Sequence, residues 1–405
     1  MQAVTVDEAI TLMADGAPEP RRHKKALQHC DGRILAADVV ARRDQPPFVS
    51  SAMDGYAVIR TQQASDDPLS EFTVVGESQA GKAYTGPLRD GEAVRIFTGA
   101  PVPGEAGAIV LQENVIRSGD RIAITADGLK EKKTHIRLAG QDFRAGDVVA
   151  RAGECLDAWR LSLVAATGLS AVHVAAKPRI AILCTGNELV RPGHAVRDDQ
   201  IFESTSFGLM SLVKAWGGKP IFVGVEADSL KAITRALRDM KADLIVTVGG
   251  ASVGDYDLVK PALYALGYSP VFEKVELRPG RPTAFGTLKD GTRVLSLPGN
   301  PASAFVCAQL FLKPFINKAL GRPHIEEHLN LPTVDALSGN GDRQAYLRAK
   351  VVTDDEGRPM LRAFMDQDSA LIQVFAQSDA LIVRPSQASP ALPGALVSFI
   401  RLDRR

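Results

Sequence analysis

Residues Ile245 to Val259 read "IVTVGGASVGDYDLV": an apolar run, then a loop of three glycines, one serine and two aspartates. A plain connection needs one glycine. Several in a row let an anionic ligand lie against backbone N–H groups, and the next helix N-terminus favours negative charge there. Three more loops of this kind follow apolar runs. "CTGNELV" carries Thr185, Gly186, Asn187 and Glu188. "VEADSL" carries Asp228. "LPGNPAS" carries Pro298, Gly299, Asn300, Pro301 and Ser303. The opening loop then reads as a phosphate cradle made by Gly249, Gly250, Ser252 and Gly254, with Asp255 and Asp257 at its rim. Carboxylates beside a phosphate repel it unless a cation intervenes. Mg²⁺ suits the place, since it takes one or two carboxylates plus substrate oxygens and water. Glu188 and Asp257 are the preferred ligands.

Each of these residues also has a plainer reading. Asp228 before Ser229 suits a helix cap, Asp255 suits a turn, and Asn300-Pro301 is a good cap-and-first-turn pair whatever the function. The segment "EKVELRPGRPTAF" places Lys274, Arg278 and Arg281 around a Pro-Gly turn. It is either an oxyanion-binding fork or a solvated basic turn. "SAMDGYA" (Asp54, Gly55) and "RIFTGAPVP" (Thr98, Gly99) read on their own as turns. "IRLAGQDFRAGD" offers Arg137 and Asp142, which an ion pair would explain. No nucleophile elbow, Cys-His pair or histidine cluster is present.

The elements that must position these loops follow from hydropathy. "RIAILCTG", "KPIFVGVE", "ADLIVTVGG" and "TRVLSLPG" are apolar runs suited to strands buried on both faces. Helical stripes lie between them, one through Leu209, Leu212, Val213 and Trp216 and one through Leu230, Ile233, Leu237 and Met240. The alternation predicts an α/β domain with a parallel sheet over 178–325, where ligands bind beyond the carboxyl ends of the strands. The first ~45 residues read as helical. Short β-like runs from 46 to 137 predict an inserted β-module, and "AWRLSLVAATGL" returns to helix. Hence 1–45 and 138–177 form an N-terminal helical/linker domain, and 326–405 a small C-terminal β-barrel or sandwich.

Composition bounds the rest. At 405 residues the chain needs more than one core. A net charge of +1 gives no global case for nucleic acid or an anionic membrane. No run approaches the ~20 apolar residues of a membrane span, and the start lacks the pattern of a secretory signal. Cys30, Cys155, Cys184 and Cys307 form no Cys-x-x-Cys pair, so they read as small core residues of a cytoplasmic protein.

Taken in order and at these separations, "SAMDGYA", "RIFTGAPVP", "GQDFRAGD", "CTGNELV", "GGASVGDYD", "RPGRP" and "LPGNPASA" resemble the molybdenum insertases, the molybdopterin molybdenumtransferases related to the E domain of gephyrin. The resemblance spans effectively the whole chain. It implies an elongated four-domain protomer and a homodimer whose site lies between the α/β domain of one chain and the β-module of the other. It further implies insertion of molybdate into adenylylated molybdopterin, with Mg²⁺ and release of AMP. The family's functional acids fall on Asp54, Asp142, Glu188, Asp228 and Asp257, its threonine on Thr98, and its prolines on Pro298 and Pro301. Its oxyanion turn falls on Lys274, Arg278 and Arg281, with Ser303 nearby. Arg278 and Arg281 stand where the family often has Lys. Glu203 and Thr205 stand in place of an Asp-Ser-Asn, and "MDQDSALI" lacks a usual Gly-Ser. A molybdopterin-binding carrier or scaffold and a nucleotide pyrophosphatase are the alternatives, and tungstate competes with molybdate. A molybdopterin adenylyltransferase and recipient molybdoenzymes are candidate partners.

Overall fold

The computed structural model describes residues 2–59, 71–250, 258–323 and 328–402. Its central unit is a six-stranded sheet of β1 (Arg179–Thr185), β2 (Lys219–Glu226), β3 (Leu244–Val248), β4 (Ser269–Phe272), β5 (Ala284–Thr287) and β6 (Arg293–Leu297), in the order β2-β1-β3-β6-β5-β4. The sheet is mixed, which corrects the expectation of a parallel one. β2, β1, β3 and β6 run parallel, whereas β5 is antiparallel to both neighbours. The reason is local: β5 and β6 are joined through "LKDGT", where Gly291 has φ +86°, a tight hairpin with no room for a crossover helix. The four strands read from the sequence are those of the parallel part. β1, β3 and β6 are buried on both faces because helices cover both, whereas the edge strand β2 is only half-buried. Leu209 and Val213 of the Thr205–Ala215 helix pack into one layer, and Ile233 and Leu237 of the Leu230–Asp239 helix into the other.

The expected helical run at the N-terminus is a helix only over Val6–Asp15. Thr5 caps it: its hydroxyl accepts from the Glu8 amide (3.3 Å), and the Glu8 carboxylate accepts from the Thr5 amide (2.8 Å). Beyond Gly16 the basic run "RHKKA" has no apolar period to hold a helix, and Arg22–Ala26 is a strand paired antiparallel with Ala171–Ala175. The helix buries Val6, Ala9 and Met13 in the main core beside Phe285 and Phe315, so it packs on the α/β unit. Arg293 Nε locks its end by donating to the Gly16 carbonyl at 2.8 Å.

A separate core of Cys30, Leu35, Val39, Leu156, Val164 and Val174 supports the helix Ala158–Ala166. Residues between these segments form a six-stranded sheet that holds Gly55–Val58 and Glu92–Ile96 as central strands. At the other end, Gln344–Thr353, Ala380–Arg384 and Leu396–Arg401 carry the C-terminal sheet. That sheet extends into the α/β unit, because Leu277–Arg278 adds to it in parallel, with Leu277 opposite Gln344 and Arg278 opposite Ala345. The Pro301–Cys307 helix runs through a π-helical turn at Ala308–Leu312 into Lys313–Ala319. Pro314 lacks the N–H that an α-helix needs there, and the widened turn accommodates the loss. Among the described residues no helix is long and apolar enough to cross a membrane.

The packing of the first helix is directly testable. Met13→Ala empties a fully buried site and should cost about 2–4 kcal/mol. Chemical denaturation monitored by fluorescence would show it, whereas a loss under about 0.5 kcal/mol would place the helix outside the cooperative core.

Candidate functional site

The parallel strands end level with one another. Cys184 of β1 is opposite Val248 of β3, and Val248 is opposite Leu297 of β6, so three loops leave the sheet at the same height. Strand order reverses between β1 and β3, which is where open α/β sheets bind ligands. There the loops touch. The Gly249 amide donates to the Leu297 carbonyl at 3.2 Å, and Gly299 lies against the Gly249 Cα. Gly249 has φ +90°, and a Cβ on it would fall 2.8 Å from the Thr185 carbonyl oxygen; only glycine fits.

The fourth loop is tied in by a reciprocal pair. The Asn187 amide donates to Asp228 Oδ2 (3.2 Å), and the Asp228 amide donates to Asn187 Oδ1 (3.1 Å). Asp228 is therefore not the helix cap. Ser229 is, its hydroxyl accepting from the Ala232 amide. The Glu188 carboxylate folds over Gly186, and the buried Thr185 hydroxyl, which faces Gly249, has no hydrogen-bond partner among the described residues. Among the described residues no cluster of three or more carboxylate, histidine or cysteine side chains could hold a metal ion. Glu188 and the orphaned Thr185 hydroxyl are oxygen donors of the kind that suits Mg²⁺, which takes one or two protein ligands plus substrate oxygens and water. Ser252, Gly254, Asp255 and Asp257 lie outside the described residues.

The basic turn faces a different space. Arg278, Arg281 and Ser303 line a cleft of about 940 Å³ between the α/β unit and the C-terminal sheet. Lys274 is not among its lining residues. It is exposed, and its carbonyl accepts from the Val4 amide at 3.0 Å. Two arginines that sequence reading missed, Arg343 and Arg384, complete a set of four guanidinium groups against the carboxylates of Asp335 and Asp368. Arg384 is committed to structure, donating to the Ser338 and Ser389 carbonyls. Arg343 follows a Gly-Asp turn whose sequence carries no signal of a site. Arg281 is only loosely paired, 3.9 Å from Glu276.

Cleft and loop edge are joined at Ser369. Its hydroxyl accepts from Asn300 Nδ2 (2.7 Å), and its carbonyl accepts from the Ala302 amide (3.0 Å). Asn300 thus occupies the cap position without capping through its side chain. Glu203 and Thr205 are both buried. Glu203 accepts from the Ser206 amide (2.7 Å) and hydroxyl (2.6 Å) and from Cys184 Sγ (3.4 Å), so the acid seats the Thr205–Ala215 helix on β1. Burial, aided by the adjacent Glu203 charge, pushes the Cys184 thiol far above its ordinary range.

In the β-module, Asp54 Oδ1 accepts from both the Thr98 amide and the Thr98 hydroxyl, each at 2.7 Å. The pair is a cross-loop lock rather than a simple Asp-Gly turn. Arg95 lies beside it, 4.9 Å from the ring centroids of Tyr56 and Phe97. Every hydrogen bond of Asp54 and Thr98 stays within the module. Asp142 is exposed; its amide donates to the Gln45 carbonyl, and among the described residues no ion pair joins it to Arg137. The structure therefore brings together Thr185, Gly186, Glu188, Asp228, Gly249, Pro298, Gly299, Asn300 and Pro301, with Gly250 following Gly249. It does not bring Asp54, Thr98 or Asp142 to that edge within one chain.

Residues 4–168 match the family model described as MoeA N-terminal region (domain I and II), 181–318 match Probable molybdopterin binding domain, and 330–402 match MoeA C-terminal region (domain IV). The molybdopterin molybdenumtransferase of Haemophilus influenzae is 31% identical over 403 residues, covering 98% of both chains. The chain belongs to the molybdopterin molybdenumtransferase family. The Nostoc member is 33% identical over 369 residues, covering 89% of this chain and 84% of that protein. Among solved structures, the molybdopterin biosynthesis MoeA protein from Pyrococcus horikosii superposes with a TM-score of 0.85 at 27% identity over 100% of both chains. Membership makes this chain a transferase of molybdenum cofactor biosynthesis.

The hydrogen bonds from the Thr98 amide and hydroxyl, with the nearby Arg95 charge, hold the Asp54 carboxyl below its ordinary value of 3.8. A group depressed on folding keeps its contacts as pH falls to the ordinary value and loses them only on passing its folded pKa. The Thr98 amide proton shift should thus stay flat down to about pH 4 and titrate only below it. The transition should vanish in Asp54→Asn; a midpoint at or above 3.8 would contradict the lock.

Proposed function

We propose that this chain inserts molybdate into adenylylated molybdopterin and releases AMP, working in the cytoplasm as a homodimer with Mg²⁺. The observation that carries the reading is the adjacency of two unlike sites: a glycine-lined strand edge with carboxylates, and an arginine-lined cleft joined to it through Ser369 and Ser303. A pyrophosphate-linked pterin suits the first, because backbone N–H groups and glycines let it lie close. A tetrahedral oxyanion suits the second, because guanidinium forks hold it through paired donors. Arg278 and Arg281, where relatives often carry Lys, keep the charge and add that planar fork.

Glu188, the Thr185 hydroxyl and Asp257 are the groups that would hold Mg²⁺. When bound, the ion neutralises phosphate charge and polarises the adenylyl phosphorus. The protein's own residues do the rest. Gly249, Gly250, Ser252 and Gly254 receive the phosphates, and the Asn187–Asp228 pair fixes the shape of the edge. Pro298 and Pro301 set the course of the last loop, and Arg278, Arg281 and Arg343 hold molybdate beside the dithiolene. Water attacks the adenylyl phosphorus, the bridging P–O bond breaks, AMP leaves with the water oxygen, and molybdopterin keeps its own phosphate. If a molybdate oxygen attacks instead, the mixed adenylyl–molybdate anhydride is cleaved by water to AMP and molybdate. Much of the acceleration is positioning. Asp54 and Thr98 enter from the partner protomer as a preformed unit, with Asp142 of that protomer behind them. The adenylylated substrate would come from a molybdopterin adenylyltransferase, and the product would pass to recipient molybdoenzymes.

Purified protein should release AMP from adenylylated molybdopterin only with Mg²⁺ and faster with molybdate. Glu188→Gln should lower that release by about 10²-fold or more while leaving pterin binding measurable. Tight binding without turnover in the unsubstituted protein would overturn the reading in favour of a carrier.

A further inference from the structure

The basic turn has a seat that the reaction does not itself explain. Between Arg278 and Arg281, Gly280 has φ +117°, and a Cβ there would overlap Cys307 Sγ and press on Leu277. The turn's backbone therefore rests directly on a thiol. From the other side the Thr283 hydroxyl donates to the Gly280 carbonyl at 2.7 Å, and the Thr283 amide reaches the same carbonyl at 3.1 Å. The hydroxyl oxygen also lies 3.1 Å from Cys307 Sγ. Both side chains are completely buried, so neither can touch a substrate.

Cys307 has a second relation to the cleft. It stands four residues after Ser303 in the Pro301–Cys307 helix, and positions i and i+4 share a face. One helix face thus supplies the cleft with Ser303 and supports the turn that carries Arg278 and Arg281. The same helix begins at Asn300, in the strand-edge loop. Its axis fixes the separation between the phosphate edge and the guanidinium groups. The thiol is a packing surface, not a nucleophile: burial pushes it up to about 12.

We propose that Thr283 and Cys307 are positioning residues that hold the Arg278–Arg281 turn in the conformation that binds the oxyanion, and so set the affinity for molybdate without touching it. The proposal rests on the oxyanion reading of the cleft given above. It assigns a function to two buried side chains that the sequence reading did not single out, and it separates oxyanion capture from pterin capture. The strand edge has its own locks at Asn187, Asp228 and Gly249, none of which uses the turn.

Thr283→Val keeps the buried shape and removes the hydroxyl; Thr283→Ser keeps the hydroxyl. With the full-length protein, Thr283→Val should raise the KM for molybdate about five- to tenfold, the loss of one buried hydrogen bond. The kcat at saturating molybdate and the KM for adenylylated molybdopterin should stay near the unsubstituted values, and Thr283→Ser should restore the molybdate KM. Cys307→Ala, which lowers the floor under Gly280, should shift the same parameter in the same direction. Molybdate binding alone, by calorimetry without pterin, should weaken in parallel. An unchanged molybdate KM in Thr283→Val overturns the proposal while leaving the insertase reading intact. A joint fall of kcat and of both affinities with a lowered Tm overturns it too, since a merely structural role does that. If the unsubstituted protein binds molybdate but shows no turnover, the insertase reading fails. The calorimetric comparison of Thr283→Val with Thr283→Ser then decides the proposal alone. No molybdate binding to the unsubstituted protein overturns both.

Discussion

The functional half of this molecule depends on how closely the Gly249 backbone approaches the Thr185 carbonyl. Three parallel strands end level, and their loops have to share one small area of sheet edge. Any Cβ at position 249 would strike the neighbouring backbone, which cannot move without breaking the register of β1 and β3. A side chain longer than hydrogen is thus excluded at the place where backbone amides are most useful to an anion. The glycine-rich sequence is first a packing requirement of the sheet. The cradle follows from it.

A second constraint links that edge to the arginine cleft. The α/β unit and the C-terminal sheet share an apolar core, and two polar joints between them bear on the site: Leu277–Arg278 enters the sheet as a parallel strand, and Ser369 holds Asn300 and Ala302. The first fixes the guanidinium groups by backbone pairing. The second fixes the start of the helix that bears Ser303. Behind Ser369, buried Arg348 donates to the Asp368 carbonyl (2.8 Å) and to Gln367 Oε1 (3.1 Å), which makes the joint rigid from within the C-terminal domain. Four arginines against two aspartates line the cleft, the excess of positive residues that an oxyanion site needs.

How much of this the sequence reveals depends on the range of the interaction. The strands β1, β2, β3 and β6 are written in continuous apolar runs, and their loops in Gly, Pro and Asn. These are local signals with local causes. The β5 hairpin carries the same kind of signal in Asp290-Gly291, but its strand is only four residues long. Whether an aspartate caps, turns or locks is decided by a partner far away in sequence: Asp228 by Asn187, and Asp54 by Thr98. Asn300 shows the limit well. Its sequence context is that of a helix cap, yet its amide is taken by Ser369, sixty-nine positions on. Arg343 carries no sequence signal because only the meeting of two domains places it in one cleft with Arg278. Glu203, a departure from the family pattern, is explained once it is seen buried with three donors around it.

The β-module bears on the assembly through what it leaves exposed. Asp54 is already organised by Thr98, and among the described residues its side chain makes no other hydrogen bond. Met53 within "SAMDGYA", and Phe48, Val49 and Leu138 on the segments that flank it and "GQDFRAGD", are exposed, large and apolar. Apolar side chains gathered beside a polar motif are costly to leave in water and characteristic of a surface that another chain covers. A carboxylate held in its charged form by two donors keeps that charge when such a cover removes water. In the homodimer proposed above, covering the patch with a second protomer would add a fixed carboxylate and a hydroxyl to a strand edge that already carries Glu188 and Asp228. It would also account for the position of the lock far from the loops of its own chain.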